Sequence, residues 1–407
     1  MNKLERRGKL NNYVCMCTNI KDFTLINQRM SSQVGDLVLR NYAVTIEQNL
    51  EKDERIARVG GDNFMILVQK QRIEEFLQFI EKVSVTVEYE NVAQILQLES
   101  RCGLYAIQEG DSVGVILDAA HLALSQAKHS SAADYIWYET NMLEQAYDRR
   151  TLLTEYGNAL KQHEFLVCYQ PKVNIFTNTL CGCEALVRWQ KEDGLVPPFR
   201  FIPALEEEGR ITELDFYVFE QICKDIRSWL DKGITPVRIS SNFSKLHLQN
   251  PEFANTILKI VDRYQIESEY LEIELTESSG YEDFKALTDF VRIMNEHEIY
   301  VSIDDFGTGY SSLSLLKDLN VDVVKLDKSF IDEIGTGDIM NENLVKNVVH
   351  MIKDLNRHVI CEGVETSVQA DFLRDLDCHM VQGYLYDKPL PHAKFEERLI
   401  HPNYEVG

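Results

Sequence analysis

The chain has no run approaching the roughly 18 consecutive apolar residues that a membrane span needs. Its start, Met1-Asn-Lys-Leu-Glu-Arg-Arg-Gly-Lys9, is a charged lead without the apolar stretch of a secretory signal. Neither export nor a span is expected, so the sequence reads as cytoplasmic, or as the cytosolic part of a longer, membrane-anchored protein. Basic residues are in deficit: 42 Lys and Arg stand against 65 Asp and Glu, a formal net charge of −23. A sequence-independent grip on nucleic acid depends on Lys and Arg neutralising phosphates, so no nucleic acid polymer is expected as partner. An anionic substrate would need local metal ions. No Cys-x-x-Cys occurs among the nine cysteines, and the pairs Cys15/Cys17 and Cys181/Cys183 lie in strand-like stretches where i and i+2 share a face. They read as reduced, structural thiols.

What is present is ordinary for a folded chain: 407 residues, 44% apolar and 26% charged. The length implies two domains, one of which has room to be a single barrel of about 250 residues. In the first part, Tyr13-Val-Cys-Met-Cys reads as a strand and Asn19 to Asn27 leads into a helix that continues through Gly35-Asp36. Arg55-Ile-Ala-Arg-Val and Phe64-Met-Ile-Leu-Val form a hairpin turned by Gly60-Gly61-Asp62-Asn63, whose glycines can take positive φ. A helix from Gln71 to Lys82, a strand at Cys102–Ile107 and a helix from Val113 to Lys128 complete a mixed α/β pattern. Asn141 to Leu160 reads as one helix with no Gly or Pro before Gly157, a stiff joint rather than a flexible linker.

From Leu166 onward eight apolar strand-like runs alternate with amphipathic segments, the pattern of a βα barrel with its chemistry at the C-terminal strand ends. The run Val301-Ser-Ile-Asp-Asp-Phe-Gly-Thr-Gly-Tyr-Ser-Ser312 places two adjacent carboxylates at the mouth of one strand. Asp304 and Asp305 repel each other unless something positive screens them; in isolation they would equally cap a helix beginning near Ser311. The polar residues closing the other strands are Glu184, Asn242, Glu274, Lys325, Glu362 and Gln382. All can point into one mouth. An oxygen-rich set without His suits Mg²⁺ or Mn²⁺ rather than zinc. Two such ions about 3.5–4 Å apart activate water and stabilise an in-line displacement at phosphorus, which points to phosphodiester hydrolysis.

Arg58-Val-Gly-Gly-Asp-Asn-Phe64 resembles the signature hairpin of the GGDEF family, the diguanylate cyclases, over about residues 10 to 140. Asn19-Ile-Lys-Asp-Phe23 and Gly35-Asp36 fit the family's upstream motifs. The departures matter more. The family's first metal-holding aspartate falls on Asn19, its signature glutamate on Asn63, and the arginine four residues after the phosphate-binding Lys128 is Ala132. The inhibitory Arg-x-x-Asp reads Glu51-Lys-Asp-Glu54. Neutral amides cannot supply the charge of a metal-triphosphate site, so the resemblance implies a degenerate, non-cyclising domain. Three readings stay open: a GTP-binding regulatory module using Asn27, Asp36 and Lys128, a dimerisation or transmission block, or a relic that only packs.

Glu184-Ala-Leu-Val-Arg-Trp189, Asn242-Phe-Ser, Glu274-Leu-Thr-Glu277, Asp304-Asp-Phe-Gly-Thr-Gly-Tyr-Ser-Ser-Leu313, Lys325-Leu-Asp, Glu362-Gly-Val-Glu365-Thr and Gln382-Gly-Tyr resemble the motif series of EAL-domain cyclic di-GMP phosphodiesterases. The resemblance implies a TIM-like barrel that hydrolyses cyclic di-GMP to linear pGpG. Two Mg²⁺ or Mn²⁺ ions would be held by Glu184, Asn242, Glu274, Asp304, Asp305 and Glu362. Lys325 would orient or deprotonate the attacking water, with Glu365 completing the catalytic set. Gln170, Arg188 and Gln382 would bind substrate, and Glu277 would anchor the Asp304–Leu313 loop that leads to a homodimer contact. The expected organisation is a GGDEF-like domain at 1–140, a connecting helix at 141–155 and the barrel at 156–401. A receptor that holds cyclic di-GMP without cutting it is the alternative.

Overall fold

The computed structural model of the chain describes residues 10–89, 92–129, 134–276, 284–307 and 316–405. Contacts divide the chain into one unit ending at Arg150 and another beginning at Thr151. Among the described residues no helix is long and apolar enough to cross a membrane.

The first unit is built on β1 (Tyr13–Ile20), β2 (Arg55–Gly60), β3 (Asn63–Gln69), β4 (Lys82–Tyr89), β5 (Val92–Ala106) and β6 (Tyr135–Trp137). Their order is β2-β3-β1-β5-β4, with β6 beside β5. β1 is central, which is why its apolar run does not alternate: both of its faces are covered. The single helix expected after β1 is two helices, Phe23–Met30 and Ser32–Gln48, broken at Ser31 with φ of 97°. The second starts close against the first. A Cβ on Gly35 would lie 1.8 Å from Asn27 Oδ1, so a larger residue there would turn the Asn27 side chain aside. The next helix, Ile73–Glu81, stops one residue short of Lys82, which opens the unforeseen β4. In β4, Val83, Val85 and Val87 bury one face while polar residues take the other.

The helix Asn141–Lys161 is continuous through the division between the units. The second unit has β7 (Phe165–Asn174), β8 (Thr179–Lys191), β9 (Gly194–Val196), β10 (Arg238–Phe243), β11 (Leu271–Thr276), β12 (Tyr300–Phe306), β13 (Val323–Leu326), β14 (His358–Cys361), β15 (Met380–Gln382) and β16 (Leu390–Pro391). From β8 through β10 to β15 neighbouring strands are parallel, and β7 closes the ring against both β15 and β8. β7 itself is antiparallel to both partners. The reason is local: only Ile175–Asn178 separates β7 from β8, whereas parallel neighbours need a crossover of about a dozen residues. Asn174 Oδ1 stabilises that turn by accepting from the amides of Phe176 (3.0 Å) and Thr177 (3.3 Å).

Helices cover the barrel as the amphipathic spacing predicts. The helix Ile211–Asp231 buries Leu214, Val218, Phe219, Ile222, Ile226 and Trp229. Each such side chain contributes about 1.5–3 kcal/mol by leaving water, so this helix fixes the wall carrying β7 and β10. All nine cysteines are free thiols, consistent with a structural role.

Candidate active site

Along the parallel strands the site positions step up by two residues in register, and the strand tilt of a barrel brings these remote residues to one mouth. Ser240 on β10 stands opposite Glu184 on β8, Asn242 opposite Glu274 on β11, and Thr276 opposite Asp304 on β12. Lys325 comes from β13, Glu362 directly follows β14 and Gln382 ends β15. A Cβ on Gly383 would lie 2.0 Å from the Val364 carbonyl oxygen, so glycine lets the chain after β15 close onto the Glu362 turn. The amide of Val364 donates to the Gln382 carbonyl across that approach, at 3.1 Å.

At the centre is Lys325, fully buried. Its Nζ lies 3.2 Å from Glu184 Oε2, 3.1 Å from Glu274 Oε2, 3.1 Å from Asp304 Oδ1 and 2.6 Å from Glu362 Oε1. An ammonium has three protons for these four partners. The four carboxylates therefore share those protons, with Glu362 at the shortest distance. Glu184 is fixed from two further sides, accepting from Asn242 Nδ2 at 2.8 Å and from Gln382 Nε2 at 2.6 Å. Beneath this layer Lys172 Nζ reaches Ser240 Oγ at 2.8 Å, Glu272 Oε1 at 3.1 Å and Glu274 Oε1 at 3.0 Å. Lys172, Glu272 and Ser240 were not among the expected residues. The signal was available: in Leu271-Glu-Ile-Glu-Leu the two glutamates share a face, and the inward face of a barrel strand needs a cation to receive both.

The electrostatics are those of a site short of positive charge. Among the described residues, the ammonium groups paired with the carboxylates of Glu184, Glu272, Glu274, Asp304 and Glu362 are those of Lys172 and Lys325. Burial pushes the Glu362 carboxyl up to about 8 against the pull of Lys325, with Asp304 and Glu184 adding to the rise. Burial likewise raises Glu184 and Asp304. Glu274 goes the other way: burial opposes its ionisation, yet Lys172 and Lys325 together bring it down to about 2. Glu184, Glu274 and Asp304 each offer an oxygen, all within 4.8 Å of one another. Gln382 Oε1 is buried without a hydrogen bond. An all-oxygen set with surplus negative charge and an unpaired carbonyl fits a hard divalent cation.

The other expected site residues divide. Arg188 stands four residues beyond Glu184 on β8, half-buried, donating to the Val187 carbonyl at 2.8 Å. With Asn242, Ser244, Glu206 and Ile202 it lines a cavity of about 210 Å³ beside the mouth. Gln170 on β7 is in register with Glu184. Asp305 is exposed with φ of 56°, and its amide donates to Asp304 Oδ1 at 2.9 Å. Glu365 pairs with Lys328 on the outer side of the β13 and β14 ends and not with the Lys325 cluster. Glu277, Ser311 and the loop from Thr308 to Leu313 lie outside the described residues.

In the first unit Asn19 and Asn63 are direct partners across β1 and β3. Asn19 Nδ2 donates to Asn63 Oδ1 at 2.9 Å, and Lys128 Nζ to the same oxygen at 3.3 Å. Asn27 packs on Gly35 where the two helices meet, and Asp36 is exposed beside it. Arg58 Nε donates to the Gly61 carbonyl at 2.8 Å and braces the hairpin turn.

The GGDEF diguanylate cyclase domain model matches residues 2–133 and the EAL domain model matches residues 154–389. The bifunctional diguanylate cyclase/cyclic di-GMP phosphodiesterase MucR of Pseudomonas aeruginosa is 30% identical over 384 residues, covering 93% of this chain and 56% of that protein. The cyclic di-GMP phosphodiesterase PdeR of Escherichia coli is 29% identical over 391 residues, covering 93% and 57%. The chain thus spans about half the length of the curated relatives it matches. A solved PaMucR phosphodiesterase in complex with c-di-GMP is 34% identical with a TM-score of 0.57, covering 60% of this chain and 99% of that one.

Proposed function

The chain belongs to the EAL domain family, with a GGDEF domain ahead of the barrel, and from that premise we propose that it hydrolyses one phosphodiester bond of cyclic di-GMP to give linear pGpG. The observation that carries this is the crowd of carboxylates around Lys325, deficient in positive charge and made only of oxygen donors. Glu184, Asn242, Glu274, Asp304, Asp305 and Glu362 would hold two Mg²⁺ or Mn²⁺ ions, which when bound supply Lewis acidity at the scissile phosphate. Lys325 presents only N–H donors while it pairs with these carboxylates, so its part is to orient the attacking water rather than to take its proton. Arg188 reaches a substrate phosphate with a two-pronged charged donor, and Gln170 and Gln382 frame the substrate on the β7 side. Glu365, through Lys328, supports the rim of the site, and Glu277 anchors the loop after Asp305.

The first unit does not cyclise GTP in this reading, because Asn19 and Asn63 spend their polar groups on each other. It binds GTP weakly at most, through Asn27, Asp36 and Lys128. The chain acts in the cytoplasm and pairs as a homodimer through the barrel. Incubation with cyclic di-GMP and Mn²⁺, followed by chromatography, tests the central claim: pGpG should appear, and EDTA should stop it. Tight binding of intact cyclic di-GMP with no product would make the chain a receptor instead.

A further inference from the structure

Lys172 is 3% exposed in β7, and each of its three ammonium protons has an acceptor: Ser240, Glu272 and Glu274. Charge compensation of Glu272 alone would need only one of them. The bond to Glu274 divides that carboxylate cleanly, since Oε1 goes down to Lys172 at 3.0 Å and Oε2 goes up to Lys325 at 3.1 Å. A carboxylate gripped by one oxygen cannot turn about its last torsion, so the direction of the other oxygen is set. Lys325 has three further partners among which its protons are shared, whereas the other hydrogen-bond partners of Lys172 Nζ, Ser240 and Glu272, lie beneath the mouth. The Lys172 stem packs against Gly182, its register partner, where a Cβ would make ordinary contact with Lys172 Cδ at 3.5 Å and a tighter one with the Arg238 carbonyl oxygen at 3.3 Å.

We propose that Lys172 is a positioning residue for the metal centre: it holds Glu274 by one oxygen from beneath the site and keeps the other aimed at the mouth. The inference rests on the metal-dependent reading given above. Outer partners that orient metal ligands commonly change metal affinity by about 10–100-fold when removed.

The test compares Mn²⁺ affinity by calorimetry, thermal unfolding without metal, and kcat and KM for cyclic di-GMP. The paired variant Lys172→Met with Glu272→Leu removes both charges and leaves no orphaned ion. It should stay folded, bind Mn²⁺ about tenfold or more weakly, and lose kcat with little change in KM. Lys172→Arg should recover part of the Mn²⁺ affinity, while Glu272→Gln alone should keep it within about threefold of wild type, since Glu272 is not the group being aimed. If the paired variant does not fold, Lys172→Gln replaces it, and the same loss of affinity is expected. Wild-type Mn²⁺ affinity in a folded Lys172 variant overturns the proposal, as does an equal loss in Glu272→Gln, which would mark a general packing effect. If the wild type binds Mn²⁺ but leaves cyclic di-GMP intact, the hydrolase reading fails while the affinity comparison still decides the role of Lys172.

Discussion

The barrel mouth and the first unit's hairpin hold the same kind of group in two different conditions. Around Lys325 four carboxylates share one ammonium, and burial, with their own repulsion adding to it, lifts Glu362, Glu184 and Asp304 toward the protonated form. At the hairpin Asn19 and Asn63 satisfy each other at 2.9 Å, with Lys128 on the shared oxygen. The first arrangement carries surplus negative charge, and the second is an amide pair that already has a cation on its shared oxygen. A cation gains much at the mouth and little at the hairpin. The contrast between the two sites therefore comes down to whether the local charges balance without a ligand.

The largest effect is expected from breaking the charged side. Glu184→Ala should reduce hydrolysis about a thousandfold, on the order of 4 kcal/mol, whereas Asn63→Ala should leave the rate in the absence of GTP unchanged. Chromatography of pGpG from both variants decides it, and comparable losses would dissolve the contrast. Lys325→Ala should lower turnover about a hundredfold while substrate binding, read by calorimetry, persists. With Lys325 gone the carboxylates lose their shared counter-ion, so the metal-free protein should melt earlier and Mn²⁺ should restore much of the difference. A variant that no longer binds cyclic di-GMP would make Lys325 a phosphate anchor instead.

A third experiment tries to convert the neutral site into the charged one. Asn19→Asp with Asn63→Glu should strengthen Mg²⁺-dependent GTP binding, since each restored charge-assisted contact is worth about 1.5–3 kcal/mol. Wild-type GTP affinity measured by calorimetry should be weak, and a submicromolar constant would show that the amide pair does not set it. The pH dependence is smaller. A carboxyl raised from 4.5 to about 8, as Glu362 is, stabilises the metal-free fold below pH 4.5 and loses that contribution as pH rises through about 8. Mn²⁺ needs the ionised form, so its apparent affinity should climb between pH 6 and 8 by at most about tenfold per unit and then level. A flat profile in that window removes Glu362 from the ligand set. The smallest effect belongs to Asn19→Ala, which takes one neutral hydrogen bond from the hairpin and should cost about 1 kcal/mol in thermal unfolding.

Much of the barrel was legible because its strands are short apolar runs ending in polar residues, a pattern that survives without any knowledge of pairing. Glu184, Glu274, Asp304, Lys325 and Glu362 could be gathered into one mouth on that ground alone, and they meet there. What escaped depends on direction or partner. The reversal of β7 follows from the shortness of Ile175–Asn178, a signal that was present but outweighed by the expectation of a uniform repeat. β4 was hidden because Lys82-Val-Ser-Val-Thr-Val-Glu-Tyr89 follows a helix without a glycine or proline to mark the change, although its period of two was in plain view. The break at Ser31, a non-glycine residue with φ of 97°, has no glycine or proline to mark it in the sequence. Glu365 differs again: its motif position was clear, but only the fold reveals Lys328 as its partner.

The antiparallel β7 also bears on how the protein comes to be active in time. β7 and β8 form a hairpin of adjacent segments, the kind of contact that closes quickly, and it brings Gln170 beside Glu184 early. The ring shuts on the other flank of β7, where Gln382 of β15 lies in register with Lys172 across more than half the sequence of the barrel. Both residues touch the acidic cluster, Gln382 through Glu184 and Lys172 through Glu274. The seam that completes the barrel is thus the seam that completes the site. In refolding from denaturant, secondary structure should return first, and hydrolysis should appear only with the slow phase that joins β15 to β7.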